Sequence, residues 1–388
     1  MIIVALLSWG IWVFLLLFWG GFWRCDIVLP DGELGQFPPV CVIVPARNEA
    51  DVLPITLRSL LQQDYPGKYQ VVLVDDHSND NTASIATEIA ESLGKSEILK
   101  ILTSQPLPSG WTGKLWAMEQ GLQWGRTLDP IPAYFFLTDA DIDRDKDNLQ
   151  RLVAHAQQGR SQLTSLMVLL RCQSFWEKLL IPAFVFFFQK LYPFAWVNNP
   201  QQSWAAAAGG CTLLSRAAVE RLGSLATIKD AIIDDCTLAQ AVKTPPTVGG
   251  THQKIWLGLT KSAWSLRPYD SLATIWDMVA RSAYAQLQYS PFLLIGTLLG
   301  MMLVYLVPIA AIIVGIGGGN GLLLGVGIST WLLMSFAYWP TLRFYNRGLG
   351  WALTLPAIAL FYTAMTLDSA LRHYQGRGGM WKGRSYSG

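Results

Sequence analysis

Apolar and polar positions divide the chain into apolar ends and a patterned middle. Met1–Trp23, residues 290–342 and residues 348–367 contain no charged side chain. A helix crosses a bilayer core with about 20 apolar residues. Met1–Trp23 has that length, is followed by Arg24, and lacks both a basic start and a small-residue cleavage site, so residues 1–23 are predicted to be an uncleaved transmembrane anchor. Ser290–Leu342 suits two crossings with Gly315–Gly321 as the turn, and Leu349–Leu371 is a third apolar segment. Residues 290–371 are therefore predicted to be a C-terminal transmembrane bundle.

In the middle the period changes. Val40–Val44, Gln70–Val74, Tyr134–Thr138 and Leu163–Leu170 are short apolar runs of strand type. Val52, Ile55, Leu57, Leu60 and Leu61 recur at helical spacing, and Asp80–Leu93 reads as a helix capped by Asn79 or Asp80. Strand alternating with helix predicts an α/β domain over 39–270 with a mainly parallel sheet, whose ligands bind at the carboxyl ends of the strands. Two of those ends carry clustered aspartates. Two stretches read as interfacial helices. Residues 172–197 mix Phe, Trp and Tyr with Lys178 and Lys190 and are broken by Pro182 and Pro193; residues 271–289 place Leu272, Ile275, Trp276, Val279, Ala283 and Leu287 on one face.

Composition and charge narrow the class. With 52% hydrophobic and 14% charged residues, a wholly soluble enzyme, a disordered chain and a generic nucleic-acid binder are excluded. The net charge of +2 hides a segment from 290 onward at +5 and a body at −3. Arg24, Arg343 and Arg347 all face the cytoplasm if the N-terminus faces out, which places Cys25–Tyr289 there. Three C-terminal crossings would then export the basic tail 372–388; either Leu349–Leu371 is re-entrant or interfacial, or the charge rule fails at that point. Five cysteines without a C-x-x-C pair indicate neither a disulfide framework nor a zinc site and fit a reducing compartment.

Three acidic clusters carry the candidate chemistry. Asp139-Ala140-Asp141 follows an apolar strand, where the two carboxylates can converge on one cation; Mg²⁺ takes one or two protein carboxylates and fills its shell with phosphate oxygens and water. Asp75-Asp76-His77-Ser78 is either a polar turn leading into the next helix or a loop whose Asp76 accepts hydrogen bonds from a base or ribose, with His77 as a turn residue. Asp234-Asp235 begins a helix, where the pair either caps the helix or, enclosed in a pocket, offers a carboxylate whose pKa is raised towards a general base's range. No Walker loop, G-x-G-x-x-G or His-Glu-x-x-His is present.

Taken in order, Val44-Pro45-Ala46-Arg47-Asn48-Glu49, Asp75-Asp76-His77-Ser78, Asp139-Ala140-Asp141 and Asp234-Asp235 resemble glycosyltransferase family 2, the inverting GT-A type. Gly110–Ala117, Asp234–Ala239 and Trp276–Tyr284 look like the hopene-associated branch, a set of bacterial membrane glycosyltransferases linked to hopanoid lipids and similar in plan to ceramide glucosyltransferases. The resemblance implies a GT-A (Rossmann-like) domain between transmembrane helices, placed in a bacterial inner membrane with the catalytic domain cytoplasmic. It implies a nucleotide-sugar donor, by family habit a uridine diphosphate sugar, and a lipid hydroxyl acceptor such as a hopanoid. By the same resemblance, Arg47 and Asp76 line base and ribose, Pro45 and Glu49 shape that loop, Lys114 faces the nucleotide, and Asp139 contacts ribose or sugar. Asp141 binds Mg²⁺ or Mn²⁺, Asp235 is the catalytic base, and Asp234 supports it. Where many membrane members carry Gln-x-x-Arg-Trp, this chain has Met278-Val279-Ala280-Arg281-Ser282; Arg281 is left to hold pyrophosphate, and the missing Trp counts against processive polymer synthesis. The alternatives are a polyprenyl-phosphate sugar transferase, a polysaccharide synthase, and a non-catalytic membrane scaffold.

Overall fold

A computed structural model describes residues 1–32, 35–245, 250–377, 380–381 and 384–385. Parts of the predicted tail 372–388, among them Lys382, lie outside the described residues. The chain forms two compact units: residues 27–170, 196–267 and 380–388 make one, and residues 1–26, 171–195 and 268–379 the other.

The first unit is α/β. Its strands are β1 (Val40–Ala46), β2 (Tyr69–Asp75), β3 (Leu99–Thr103), β4 (Tyr134–Leu137), β5 (Ile142–Arg144), β6 (Leu163–Leu169), β7 (Thr212–Ser215) and β8 (Ile255–Ser265). They form one sheet in the order β3-β2-β1-β4-β7-β6-β8-β5. β1 is parallel to β2 and β4, β2 to β3, and β6 to β8; β7 runs antiparallel to β4 and β6, and β5 antiparallel to β8. β1 is buried along its whole length, as expected of a strand covered on both faces, where alternation disappears into a continuous apolar run. The helix Gly113–Gly125 reaches it closely through two glycines. A Cβ on Gly121 would stand 2.4 Å from Ile43, and one on Gly125 2.8 Å from the Cys41 sulfur. Pro45 is tolerated in this central strand because the ladder to β4 has already ended at Ile43. The helix expected from Asp80 starts later, at Thr82, but Asp80 still supplies an acceptor for the Thr82 N–H.

The second unit is helical. Pro291–Gly317, Gly321–Phe344 and Leu349–Tyr374 are long and apolar enough to cross a membrane, while Ile2–Phe18 is shorter. The first two pack as a hairpin whose backbones touch at glycines: a Cβ on Gly315 would lie 2.7 Å from the Leu324 nitrogen. Ile2–Phe18 runs alongside, with Ala5 against Ala311 and Leu323, and Trp12 donating to the Val304 carbonyl at 2.9 Å.

Leu349–Tyr374 behaves differently. Ala352 and Leu353 reach back along the preceding helix, accepting from Ser335 Oγ and Trp331 Nε1 at 3.3 and 3.1 Å. Its far end returns to the residues just before Ser290: Arg372 pairs with Asp277 at 2.7 Å, and the Tyr374 and Tyr284 hydroxyls lie 2.9 Å apart. Both ends of the segment are thus at the end of the hairpin where Pro291 begins and Phe344 finishes.

The predicted break at Pro182 does not occur. One helix spans Phe175–Leu191 and stops before Pro193. Amid apolar neighbours a broken helix would expose unpaired backbone groups, whereas adjacent polar side chains can satisfy the few that a proline frees; here Tyr362 Oη donates to the nearby Leu180 carbonyl at 2.9 Å. The stretch 271–289 divides into Leu272–Ala280 and a single turn, Ala283–Gln286, and Ile275 and Val279 of its apolar stripe are buried against other residues of the helical unit.

Candidate active site

Four neighbouring strands deliver the site. β2, β1 and β4 are parallel and end at one edge, and antiparallel β7 starts from that same edge. Asp76 follows β2, Arg47 follows β1, Asp139 follows β4, and Gly209 precedes β7. The sequence places acids after apolar strands, and the sheet order brings those ends side by side.

The loops after β1 and β2 are knitted together. Asn48 N–H donates to Ser78 Oγ at 2.9 Å, Glu49 N–H to Thr82 Oγ1 at 3.0 Å, Ala50 N–H to Asp80 at 3.0 Å, and Asn79 N–H to Asn48 Oδ1 at 3.0 Å. Asn48 and His77 both adopt positive φ, 52° and 54°, to make the tight reversals this requires. His77 is exposed, as befits a turn residue. The result holds Arg47 against Asp76, 3.6 Å between guanidinium and carboxylate, with the same guanidinium donating to the Asp76 carbonyl.

A second cluster surrounds Asp141. Its Oδ2 accepts from Ser265 Oγ at 2.6 Å and from Arg267 Nε at 3.4 Å, and Arg267 also reaches Glu49 at 3.3 Å. Burial alone would push the Asp141 carboxyl up. The Arg267 charge and these two donors outweigh it, so the group lies below the usual aspartate range. Arg267 joins the Glu49 loop to the Asp139-Ala140-Asp141 motif.

The third cluster centres on Lys114, in the first turn of the helix Gly113–Gly125, which Thr112 caps. Its ammonium lies 2.9 Å from Asp139 and 3.0 Å from Asp234. Burial lowers the Lys114 pKa, but the two carboxylates outweigh it and raise it well above the ordinary value. Asp139 is pushed up by burial, against the opposing pull of Lys114. Asp235 stands beside them in the first turn of Asp234–Lys243. Its Oδ2 accepts the Gly209 N–H at 2.9 Å and its Oδ1 the Cys236 N–H at 2.7 Å. Burial and then the neighbouring Asp234 charge push its pKa up to about 6, with Lys114 pulling the other way. Lys114, Thr138, Asp139, Gly209, Asp234 and Asp235 line one small recess.

Behind the recess, buried Arg144 donates to Thr138 Oγ1 at 2.7 Å, and Thr138 in turn donates to the Gly210 carbonyl at 2.8 Å. This chain fixes the end of β4 to the Gly209-Gly210 strap. Gly209 leaves tight room for a side chain: a Cβ would sit 3.2 Å from the Lys114 ammonium, which would have to shift, and 3.6 Å from Asp235.

Each sequence-predicted residue can now be placed. Pro45, Arg47, Glu49, Asp76, Lys114, Asp139, Asp141, Asp234 and Asp235 are in the α/β unit, while Arg281 belongs to the helical unit, at the C-terminal end of Leu272–Ala280. Asp139 is engaged by Lys114, and Asp234 binds the same ammonium directly. Arg267, Ser265, Arg144 and Gly209 were not anticipated. The Gly209-Gly210 doublet ahead of an apolar run was the one available signal. Among the described residues no group of three or more His, Cys, Asp or Glu is arranged to hold a metal. Both side-chain donors to Asp141 fall on Oδ2; Mg²⁺ takes one or two protein carboxylates and completes its shell with phosphate oxygens and water.

Residues 41–223 match the model of glycosyl transferase family 2. The β-monoglucosyldiacylglycerol synthase of Synechocystis sp. is 32% identical over 126 residues, 32% of this chain and 24% of that protein. The undecaprenyl-phosphate 4-deoxy-4-formamido-L-arabinose transferase of Pectobacterium atrosepticum is 31% identical over 122 residues, 31% of this chain and 34% of that protein. The chain thus spans about a quarter to a third of the length of these relatives. Among solved structures, the mannosyltransferase of Pyrobaculum calidifontis, in complex with GDP-Man and Mn²⁺, superimposes with a TM-score of 0.56 at 19% identity, covering 96% of this chain and 98% of that one. That likeness is one of fold, and the fold is GT-A. The chain is thus similar to glycosyl transferase family 2 over residues 41–223, a stretch that holds Asp76, Asp139 and Asp141, while Asp235 lies beyond it in the helix Asp234–Lys243.

Proposed function

We propose that the chain is a membrane-embedded inverting glycosyltransferase that moves a sugar from a nucleoside diphosphate sugar to a lipid hydroxyl. The observation that carries this reading is Asp235: a carboxylate oriented by the Gly209 N–H, with a pKa of about 6, in the same recess as Lys114 and Asp139. A base must be ionised near neutral pH yet retain affinity for a proton, and that value satisfies both demands. In the proposed reaction the acceptor hydroxyl loses its proton to Asp235, its oxygen bonds to the sugar carbon, and the bond to the diphosphate oxygen breaks from the opposite face. Arg47 and Asp76 are the groups for base and ribose, shaped by Pro45 and Glu49, and Arg267 and Arg281 are the cations for the departing diphosphate. Asp141 would hold Mg²⁺ or Mn²⁺, which when bound supplies Lewis-acid stabilisation of diphosphate charge.

The lipid acceptor is supported by the apolar helices and by the names of the relatives, which act on a diacylglycerol and on undecaprenyl phosphate. A hopanoid acceptor and a uridine diphosphate donor complete the proposal. The relative named for undecaprenyl phosphate favours a second reading, in which the acceptor is a polyprenyl phosphate. Purified protein incubated with a panel of nucleotide sugars and total bacterial lipid separates the two by product mass: one sugar added to a neutral lipid, or a sugar phospholipid. No new glycolipid with any donor defeats both.

Two expected results accompany this proposal. Asp141→Ala weakens Mn²⁺-dependent nucleotide binding by more than about tenfold, the scale on which metal sites lose affinity when their ligand environment is altered, while metal-free nucleotide binding is preserved; calorimetric titrations with and without Mn²⁺ measure this, and equal affinities would remove Asp141 as the ligand. The contacts at both ends of Leu349–Tyr374 support a re-entrant path, with the two ends of that segment on one side of the membrane. Single cysteines at Asn346 and Arg377, in a background lacking the five native ones, are expected to react from the same side with an impermeant maleimide. Labelling from opposite sides would make the segment a true crossing.

A further inference from the structure

The helical unit contains a charge with no counter-charge. Its acids are Asp26, Glu177, Asp270, Asp277 and Asp368, and arginines engage all five: Arg24 pairs with Asp26, Arg171 with Glu177 and Asp270, and Arg372 with Asp277 and Asp368. Lys190, at the end of Phe175–Leu191, has no carboxylate within ion-pair distance among the described residues. Its ammonium instead donates to Tyr305 Oη at 3.0 Å and lies 4.8 Å from the centre of the Tyr305 ring.

The surroundings are built rather than incidental. Tyr305 is fully buried and lies on a π-helical turn, Met302–Leu306, that interrupts the membrane-length helix Pro291–Gly317. Such turns widen a helix and recur at functional sites. Trp12 Nε1 donates to the Val304 carbonyl within this turn, Trp19 Nε1 donates to the Lys190 carbonyl, and the Trp12 and Phe187 rings pack on Tyr305. These contacts fix the turn, the tyrosine and the lysine backbone together. Lys190 as a whole is half-buried, at the C-terminal end of its helix.

A cation among apolar residues is costly, and one neutral hydroxyl plus a ring face offsets only part of that cost. An anion completes the arrangement. Basic pockets between membrane helices take phosphate head groups, and lysine serves phosphate as a point charge with rotatable donors. We propose that Lys190 and Tyr305 form a site for the phosphate of a membrane lipid. The phosphate comes from a bilayer phospholipid or from a phosphorylated polyprenol; the chemistry of the site is the same for both, and the test separates them.

The experiment uses the full chain in neutral detergent and native mass spectrometry with added phosphatidylglycerol, diacylglycerol of matched acyl chains, or a polyprenyl phosphate. Wild type is expected to retain phosphatidylglycerol at least tenfold more strongly than Lys190→Met does, with Lys190→Arg close to wild type and diacylglycerol retention equal in all three. Polyprenyl phosphate that displaces phosphatidylglycerol at substoichiometric ratio identifies the polyprenol as the occupant; displacement only in large excess identifies the phospholipid. Equal phosphatidylglycerol retention in wild type and Lys190→Met overturns the site. If Lys190→Met does not fold, Tyr305→Phe keeps the ring and removes the hydroxyl: weaker phosphatidylglycerol retention at unchanged diacylglycerol retention supports the site, and unchanged retention of both overturns it.

Discussion

Asp235→Asn is expected to lower the transfer rate by about 10²–10⁴-fold, the range spanned by loss of a positioned general base, while nucleotide-sugar affinity stays within a factor of about three of wild type. The amide keeps an oxygen for the Gly209 or Cys236 N–H but cannot take the acceptor's proton. Stability moves differently from activity. Burial and the Asp234 charge raise the Asp235 pKa from 3.8 to about 6, so the folded chain binds this proton more tightly than the unfolded one. Folding stability from this group is therefore greatest at acid pH and falls as pH rises from 3.8 to about 6. At neutral pH the ionised carboxylate is a net liability, and the amide removes it. The melting temperature of the variant should match or exceed that of wild type. In the wild-type enzyme the rate should fall about tenfold per pH unit on the acid side of Asp235's pKa, because only the ionised form is a base. Substantial turnover by Asp235→Asn would take the base role away from this residue; a flat rate profile through pH 6 would do the same.

The parts legible in the sequence are those set by neighbours along the chain. Apolar runs ending in acids, Val71–Asp76 and Phe135–Asp141, identify strands and the edge where chemistry gathers, because both the strand and its carboxyl end are local features. Arg267 has no such signature. It reaches Asp141 from 126 residues away because β8 pairs with β5 on the far side of the sheet, and a register between distant strands leaves no periodic trace in one sequence. Gly209 was hidden for a related reason: its importance lies in what a Cβ would touch, Lys114 and Asp235, which only the fold assembles. The helical unit shows the same limit. Gly321–Phe344 and Leu349–Tyr374 are alike in length and apolar character, and composition treats both as crossings. What separates them is where their ends make contacts, Trp331 with Leu353 at one end and Arg372 with Asp277 at the other. Hydropathy reports the solvent a segment tolerates; the path it takes through that solvent is decided by its partners.

Lys114→Met is the second change expected to have a large effect, and it acts on stability and on pH dependence together. The ammonium is the shared counter-charge of Asp139 and Asp234, at 2.9 and 3.0 Å, and it also lowers the pKa of Asp235. Without it, three carboxylates face one another across a partly exposed recess. Removing one partner of a buried ion pair costs about 3–5 kcal/mol; with Asp139 and Asp234 both partly exposed, the lower end of about 3 kcal/mol is the expected loss at pH 7. The sign follows from linkage. Loss of Lys114 raises the Asp139 and Asp235 pKa values further, so protonation relieves the repulsion, and the deficit relative to wild type shrinks as pH falls toward 5. The acid limb of the rate profile moves upward for the same reason, from about 6 toward neutrality, since more of Asp235 is protonated at a given pH. Chemical denaturation at pH 5 and pH 7, paired with kcat/KM measured across the same interval, tests both halves. A deficit that is independent of pH, or an acid limb that stays where wild type has it, would mean that Lys114 acts by filling space, and the electrostatic coupling of Asp139, Asp234 and Asp235 through its ammonium would have to be abandoned.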